Sequence, residues 1–374
     1  MDPQQFISQR SKSVDASGIR KVFDLAAGLK DPINFSIGQP DFDVPDMIKE
    51  AAIDAIREGF NTYTPTQGIE PLRNLISTQI VQEFGPWRHM VMITSGVSGG
   101  LMLAMMATLN PGDEILFVDP YFVMYKNLAK LLGVVPVTVD SYPDFRFPAE
   151  KIEKAITPRT KVMIINSPSN PTGMVYSEAD IQRAAEIAER HNLLVLSDEI
   201  YEALSYDGPC PSVVEHARDR TILLRGYSKT YGMPGWRMGY AAGPEPIIQE
   251  MAKLQQYTFV CAPSIAQKAC LTAMETDVSG LVDAYRRKRN IAYETLRHTF
   301  EVNKPSGGFY IFPKVPERFG CAAKFVEQAI ANNVLIIPGG VFSERDTHFR
   351  ISYAVSDEKI QRGCEILCDL ARRG

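Results

Sequence analysis

From about residue 90 the sequence alternates short β-rich runs with helical stretches, and few folds accommodate that alternation. Val91–Ile93, Glu114–Val118, Val134–Val139, Val162–Ile165, Leu193–Leu196, Thr221–Leu224 and Met238–Ala242 are apolar runs. Helical patterns lie between them, notably LMLAMMATL at 101–109, Tyr121–Leu132 and Glu178–His191. Near-continuous apolar strands separated by helices predict an α/β fold whose mostly parallel central sheet is covered by helices on both faces. Ligands of such sheets sit outside the carboxyl ends of the strands. The loops after Ile93, Ile165, Leu196 and Leu224 are therefore expected to converge on one pocket.

Past Gly243 the pattern becomes more helical. A charged stretch from Val278 to about Phe300 contains the run YRRKR at 285–289, which reads as the solvated face of a long helix joining two domains. Residues 307–312, Val334–Ile337 and Phe349–Tyr353 read as strands of a smaller α/β domain. The expected division is a large domain over 46–285 and a small domain built from 1–45 together with 286–374.

Composition narrows the function. The 374 residues carry 40 Lys+Arg against 44 Asp+Glu, so no basic excess exists to neutralise nucleic-acid phosphates. Six scattered cysteines without a C-x-x-C pair read as reduced, packed thiols, and five histidines without ligand spacing predict no metal site. The uncharged stretch Met90–Gly112 is interrupted by Thr94-Ser95-Gly96, Ser98-Gly99-Gly100 and Asn110-Pro111-Gly112, so it is not a membrane span. The N-terminal segment lacks the apolar run of a secretory signal. A soluble, cytoplasmic protein is expected.

The converging loops hold unusual polar residues. TSGVSGG at 94–100 reads either as an ordinary strand-to-helix turn or as a phosphate cradle at a helix N-terminus. It is neither a Walker loop nor a dinucleotide fingerprint. NSPSNPTG at 166–173 reads as a rigid turn, or as a stiff mount for the Asn170 side chain. Asp198 reads as a helix cap, or as a buried carboxylate awaiting a cationic partner. Lys229 is either solvated or, facing the pocket beside Arg237, an amine of lowered pKa suited to attack an aldehyde. Phosphate cradle, carboxylate, amide and amine are together the parts needed to hold pyridoxal 5′-phosphate (PLP).

Eight motifs in order then resemble the class I/II aminotransferases of PLP fold-type I, the aspartate aminotransferase superfamily. They are NFSIGQPDF at 34–42, YTPTQG at 63–68, the glycine-rich turn, DPYF at 119–122, NPTG at 170–173, SDEIY at 197–201, Ser228-Lys229 with Arg237, and FRISY at 349–353. The resemblance implies that Lys229 bonds the cofactor and shuttles the proton between the substrate α-carbon and the cofactor C4′. Asp198 would pair with the pyridine nitrogen, and Tyr201 and Asn170 would hydrogen-bond the ring 3-oxygen. Phe122 would stack on the ring. Gly96, Val97, Ser98, Ser228 and Arg237 would hold the phosphate, joined by Tyr63 from a neighbouring subunit. Arg350 would clamp the substrate α-carboxylate, and Gly38 and Asn170 would line the substrate pocket. The implied activity is transfer of an α-amino group to a 2-oxo acid such as 2-oxoglutarate. It would proceed by a ping-pong route through pyridoxamine phosphate in a homodimer with shared sites.

Two departures stand out. Gly226 occupies a position where the family often carries serine. Ser98 aligns where aspartate-specific members carry a lysine, which leaves Arg20, otherwise a solvated side chain, as a substitute reader of an acidic substrate. Acidic, alanine-like and aromatic substrates all stay open. A β-lyase on the same scaffold and a non-catalytic PLP-fold regulator are the alternatives.

Overall fold

A computed structural model describes residues 1–14, 18, 22 and 29–373. The apolar runs form a seven-stranded sheet from β2 (Met90–Ser95), β3 (Glu114–Asp119), β4 (Val135–Asp140), β5 (Thr160–Asn166), β6 (Leu194–Asp198), β7 (Thr221–Gly226) and β8 (Met238–Gly243). Their order is β2-β8-β7-β6-β5-β3-β4, and only β8 runs antiparallel to its neighbours. Every residue of β3 and β7 is buried, while the edge strand β4 is mostly part-exposed. Side chains alternate between faces. Met92, Ile164, Leu196 and Leu224 join the core under helices Gly96–Thr108 and Met124–Leu132. Met163, Ile165 and Val195 pack under helix Glu178–Arg190, whose entry is fixed by a reciprocal Ser177/Asp180 capping box.

This topology assembles one active edge. The parallel strands all end there, and the lone antiparallel strand starts there: Ser95 pairs with Met238, Gly226 with Gly239, and Asn166 with Asp198. A second layer comes from the chain ends. β1 (Ile33–Asn34) pairs in parallel with β10 (Val334–Leu335), and β9 (Tyr310–Ile311), β11 (Ile337–Pro338) and β12 (Phe349–Ser352) form an antiparallel sheet. Helices Ser279–Leu296, Ala322–Ala331 and Asp357–Arg373 cover these strands, and Tyr285, Leu296, Phe325, Phe349 and Leu367 share their core.

Three expectations need correction. The 285–289 run is a solvated face only in part: Arg287 is exposed and Arg286 part-exposed, but Tyr285, Lys288 and Arg289 are buried. Lys288 bonds the Asp41 carboxylate and the Val355 carbonyl, and Arg289 bonds the Pro305 carbonyl, so these two cations are consumed inside the fold. The 307–312 strand contracts to Tyr310–Ile311, since Gly308 (φ +63°) turns the chain before it. The helix expected from Tyr121 begins at Met124, because Tyr121 instead donates its N–H to the Phe342 carbonyl. Among the described residues no helix is long and apolar enough to cross a membrane.

Candidate active site

The converging loops line a cavity of about 260 Å³ whose walls include Gly38, Val97, Ser98, Phe122, Asn170, Asp198, Tyr201, Ser228, Lys229, Arg237 and Arg350. Eleven of the expected residues thus meet in one place. Gly96 stands just behind, at φ +68°, where a Cβ would lie 2.6 Å from Arg237 Nη2. Only glycine keeps both this backbone conformation and the guanidinium's position. Arg237 itself adopts a left-handed conformation (φ 58°), which aims its side chain back across β2, and its Nη2 donates to the Ser95 carbonyl at 3.3 Å. Tyr63 does not line the cavity and is 83% exposed in the single chain. Arg20 lies outside the described residues.

Lys229 sits in the short helix Tyr227–Thr230 following β7. Its Nζ donates to the Gly38 carbonyl at 2.6 Å. Burial, then the Arg350 and Arg237 guanidinium groups, lower its pKa to about 8, with Asp198 opposing. An appreciable neutral fraction near neutral pH follows, and the neutral amine is the nucleophile.

Asp198, at the end of β6, is 2% exposed. Burial raises its pKa to about 6, offset by a 2.6 Å hydrogen bond from the Tyr125 hydroxyl. A carboxylate held there with so little compensation is a ready acceptor for a cationic ring nitrogen. The Asn166 amide, which donates to the Asp198 carbonyl at 3.0 Å, also accepts the Asn170 N–H at 3.0 Å, fixing two strand ends together.

Arg350 on β12 is 1% exposed, its guanidinium between the Tyr310 and Phe342 rings at 4.5 and 4.6 Å. Nη1 donates to Asn170 Oδ1 at 3.0 Å and Nη2 to the Ser36 carbonyl at 2.8 Å, while Nε has no partner among the described residues. Because Asn170 spends its oxygen on Arg350, its amide nitrogen is left to face the cavity. The Tyr201 hydroxyl meets that of Tyr310 at 2.9 Å.

Three contributors escaped the sequence reading. Tyr125, the hydrogen-bond donor to Asp198, was hidden within an ordinary helical pattern. Tyr310 was hidden within an apolar strand, and Phe342 within a loop carrying no motif. For Tyr125 the only available signal was its place one turn after DPYF, on a helix facing the same strand ends.

The donor set fits PLP: a carboxylate for the ring nitrogen, an amine of lowered pKa for the aldehyde, and a helix N-terminus with an arginine for the phosphate. The family model for aminotransferase class I and II matches residues 30–367. The chain is 39% identical to a probable aspartate aminotransferase of Methanocaldococcus jannaschii, over 97% of this chain and 99% of that one. It is 35% identical to an aromatic-amino-acid aminotransferase 2 of Thermococcus litoralis, over 96% of each. The solved aspartate aminotransferase of Thermus thermophilus with maleate superposes with a TM-score of 0.92 at 32% identity, covering 97% of this chain and 99% of that one. The chain therefore belongs to the class I and II aminotransferases, and it is a PLP-dependent transaminase of α/β fold-type I architecture.

Proposed function

We propose that this transaminase moves the α-amino group of an amino acid to a 2-oxo acid, 2-oxoglutarate, in two half-reactions of a ping-pong cycle, acting in the cytoplasm as a homodimer. The observation that carries this reading is the meeting of Lys229, Asp198 and Arg350 around one cavity. When bound, PLP supplies an aldehyde carbon and an electron-accepting ring. Asp198 would hold the proton on the ring nitrogen, and the Tyr201 hydroxyl and Asn170 amide would hydrogen-bond the ring 3-oxygen. Phe122, which lines the cavity, would cover one ring face. Gly96, Val97 and Ser98 at the helix N-terminus, with Ser228 and Arg237, would hold the phosphate, and Tyr63 of the partner subunit would reach it too.

Arg350 grips the α-carboxylate through its fork, beside the pocket wall formed by Gly38 and Asn170. That grip would place the Cα–H bond within reach of the Lys229 amine, the base that would hold and move its proton. The relatives named above are aminotransferases, and none carries a lyase or regulator name. We further propose domains at 46–285 and at 1–45 with 286–374, a division supported by the pairing of β1 with β10.

The test is a titration of the PLP-loaded protein with an amino acid panel and no oxo acid. Loss of the visible band with stoichiometric oxo acid, and its recovery on adding 2-oxoglutarate, is expected. Continuous release of ammonia with an unchanged band would refute transamination.

A further inference from the structure

Behind the cavity lies a buried charge cluster to which the reaction steps above assign no part. Ser197 and Glu199 project from the face of the β6 end opposite to Asp198, as the two-residue period of a strand requires. Glu199 Oε1 accepts the Ser197 and Ser212 hydroxyls at 2.7 and 2.6 Å. Its Oε2 accepts Arg225 Nε and Nη2 at 3.0 and 2.8 Å. Arg225 also donates to both Glu83 oxygens at 2.6 and 2.8 Å, and the Phe84 ring lies under its guanidinium at 5.3 Å. The two buried partners flank the reacting groups in sequence: Glu199 directly follows Asp198, and Arg225 stands four residues before Lys229. The Glu199 N–H also bonds the Leu224 carbonyl at 2.9 Å, so the two strand ends are joined through both backbone and side chains.

We propose that Arg225 is a positioning residue for transamination: by neutralising Glu199 it keeps the adjoining Asp198 ionised and holds the Asp198 and Lys229 strand ends in register. This rests on the roles given above to Asp198 and Lys229. The groups bearing on Asp198 are Tyr125, Glu199, Tyr201 and Lys229. Those around Arg225 are Glu83, Glu199, Glu202 and Tyr240. Among the described residues the Glu202 Oε2 atom has no hydrogen-bond partner, and burial raises that carboxyl's pKa to about 7; the carboxylates that Arg225 bonds directly are Glu199 and Glu83.

The test is the pH midpoint of the visible band of the PLP-loaded protein, recorded for Arg225→Met, Glu199→Gln and the double variant, with thermal midpoints alongside. Arg225→Met leaves the Glu199 and Glu83 carboxylates without their cation and is expected to raise the spectral midpoint by roughly one unit, with a fall of about tenfold in kcat. Glu199→Gln removes the carboxylate next to Asp198 and leaves Arg225 paired with Glu83 alone, which lowers the midpoint, and the double variant returns it close to the wild-type value. A pair that only supports the fold would lower thermal midpoints without moving the spectrum in opposite directions, and that result overturns the proposal. Should Arg225→Met fail to fold, an unmoved midpoint in Glu199→Gln overturns it equally. A wild-type protein showing no visible band would refute the cofactor reading instead.

Discussion

Replacing Arg350 by lysine keeps the positive charge and removes the planar fork, so it isolates what the geometry contributes. The guanidinium is held by Asn170 at 3.0 Å, by the Ser36 carbonyl at 2.8 Å and by two aromatic rings, and it points into the cavity from full burial. A lysine ammonium supplies a point charge on a flexible stem and no bidentate bond. Charge-assisted hydrogen bonds contribute about 1.5–3 kcal/mol each. Loss of one such bond to the α-carboxylate, with loosening of the rest, amounts to about 2–4 kcal/mol, or roughly 30- to 1,000-fold in kcat/KM. The assay is single-turnover conversion of the visible band by an amino acid, beside a control with the corresponding amine lacking the carboxylate. The amine should react equally slowly with both proteins, and the PLP spectrum before substrate should be unchanged. A variant within about threefold of wild type toward the amino acid would refute the clamp assignment.

Other outcomes follow from the same geometry. Tyr125→Phe removes the 2.6 Å hydrogen bond that stabilises the Asp198 carboxylate, so PLP affinity should fall several-fold and most steeply at low pH, measured by equilibrium dialysis across pH. Gly96→Ala forces a side chain against Arg237 at a backbone conformation of φ +68°, and PLP should dissociate at least tenfold more readily in the same assay. Asp198 has its folded pKa raised to about 6, above its unfolded value. Its contribution to cofactor-free stability is therefore present below about pH 4 and lost as pH rises through about 6. Asp198→Asn should accordingly stabilise the cofactor-free protein by about 2–3 kcal/mol near pH 8 and by little near pH 4, read from urea unfolding midpoints. Equal effects at both pH values would contradict a buried, ionised carboxylate.

The central sheet was legible because its strands are apolar on both faces, a pattern that survives without knowledge of partners. The site was legible where chemistry demands a rare residue at a strand end, as with Asp198, Lys229 and Arg237. Tyr125, Tyr310 and Phe342 were illegible for the opposite reason: an aromatic residue on a helix or strand looks like core until the strand order brings it to a carboxylate or guanidinium. Lys288 and Arg289 misled because local sequence reports charge but not the distant acceptors, Asp41 and the Val355 and Pro305 carbonyls, that bury them. The geometry of one chain does not bear on the role that the resemblance implies for Tyr63, whose side chain is exposed.

The most direct measurement is borohydride reduction of the PLP-loaded protein followed by proteolysis and mass spectrometry. The expected outcome is a single phosphopyridoxyl-modified peptide with the modification on Lys229, and none after Lys229→Ala. A modification on any other lysine, or an unmodified protein after loading, would contradict the assignment of Lys229 as the residue that bonds the cofactor.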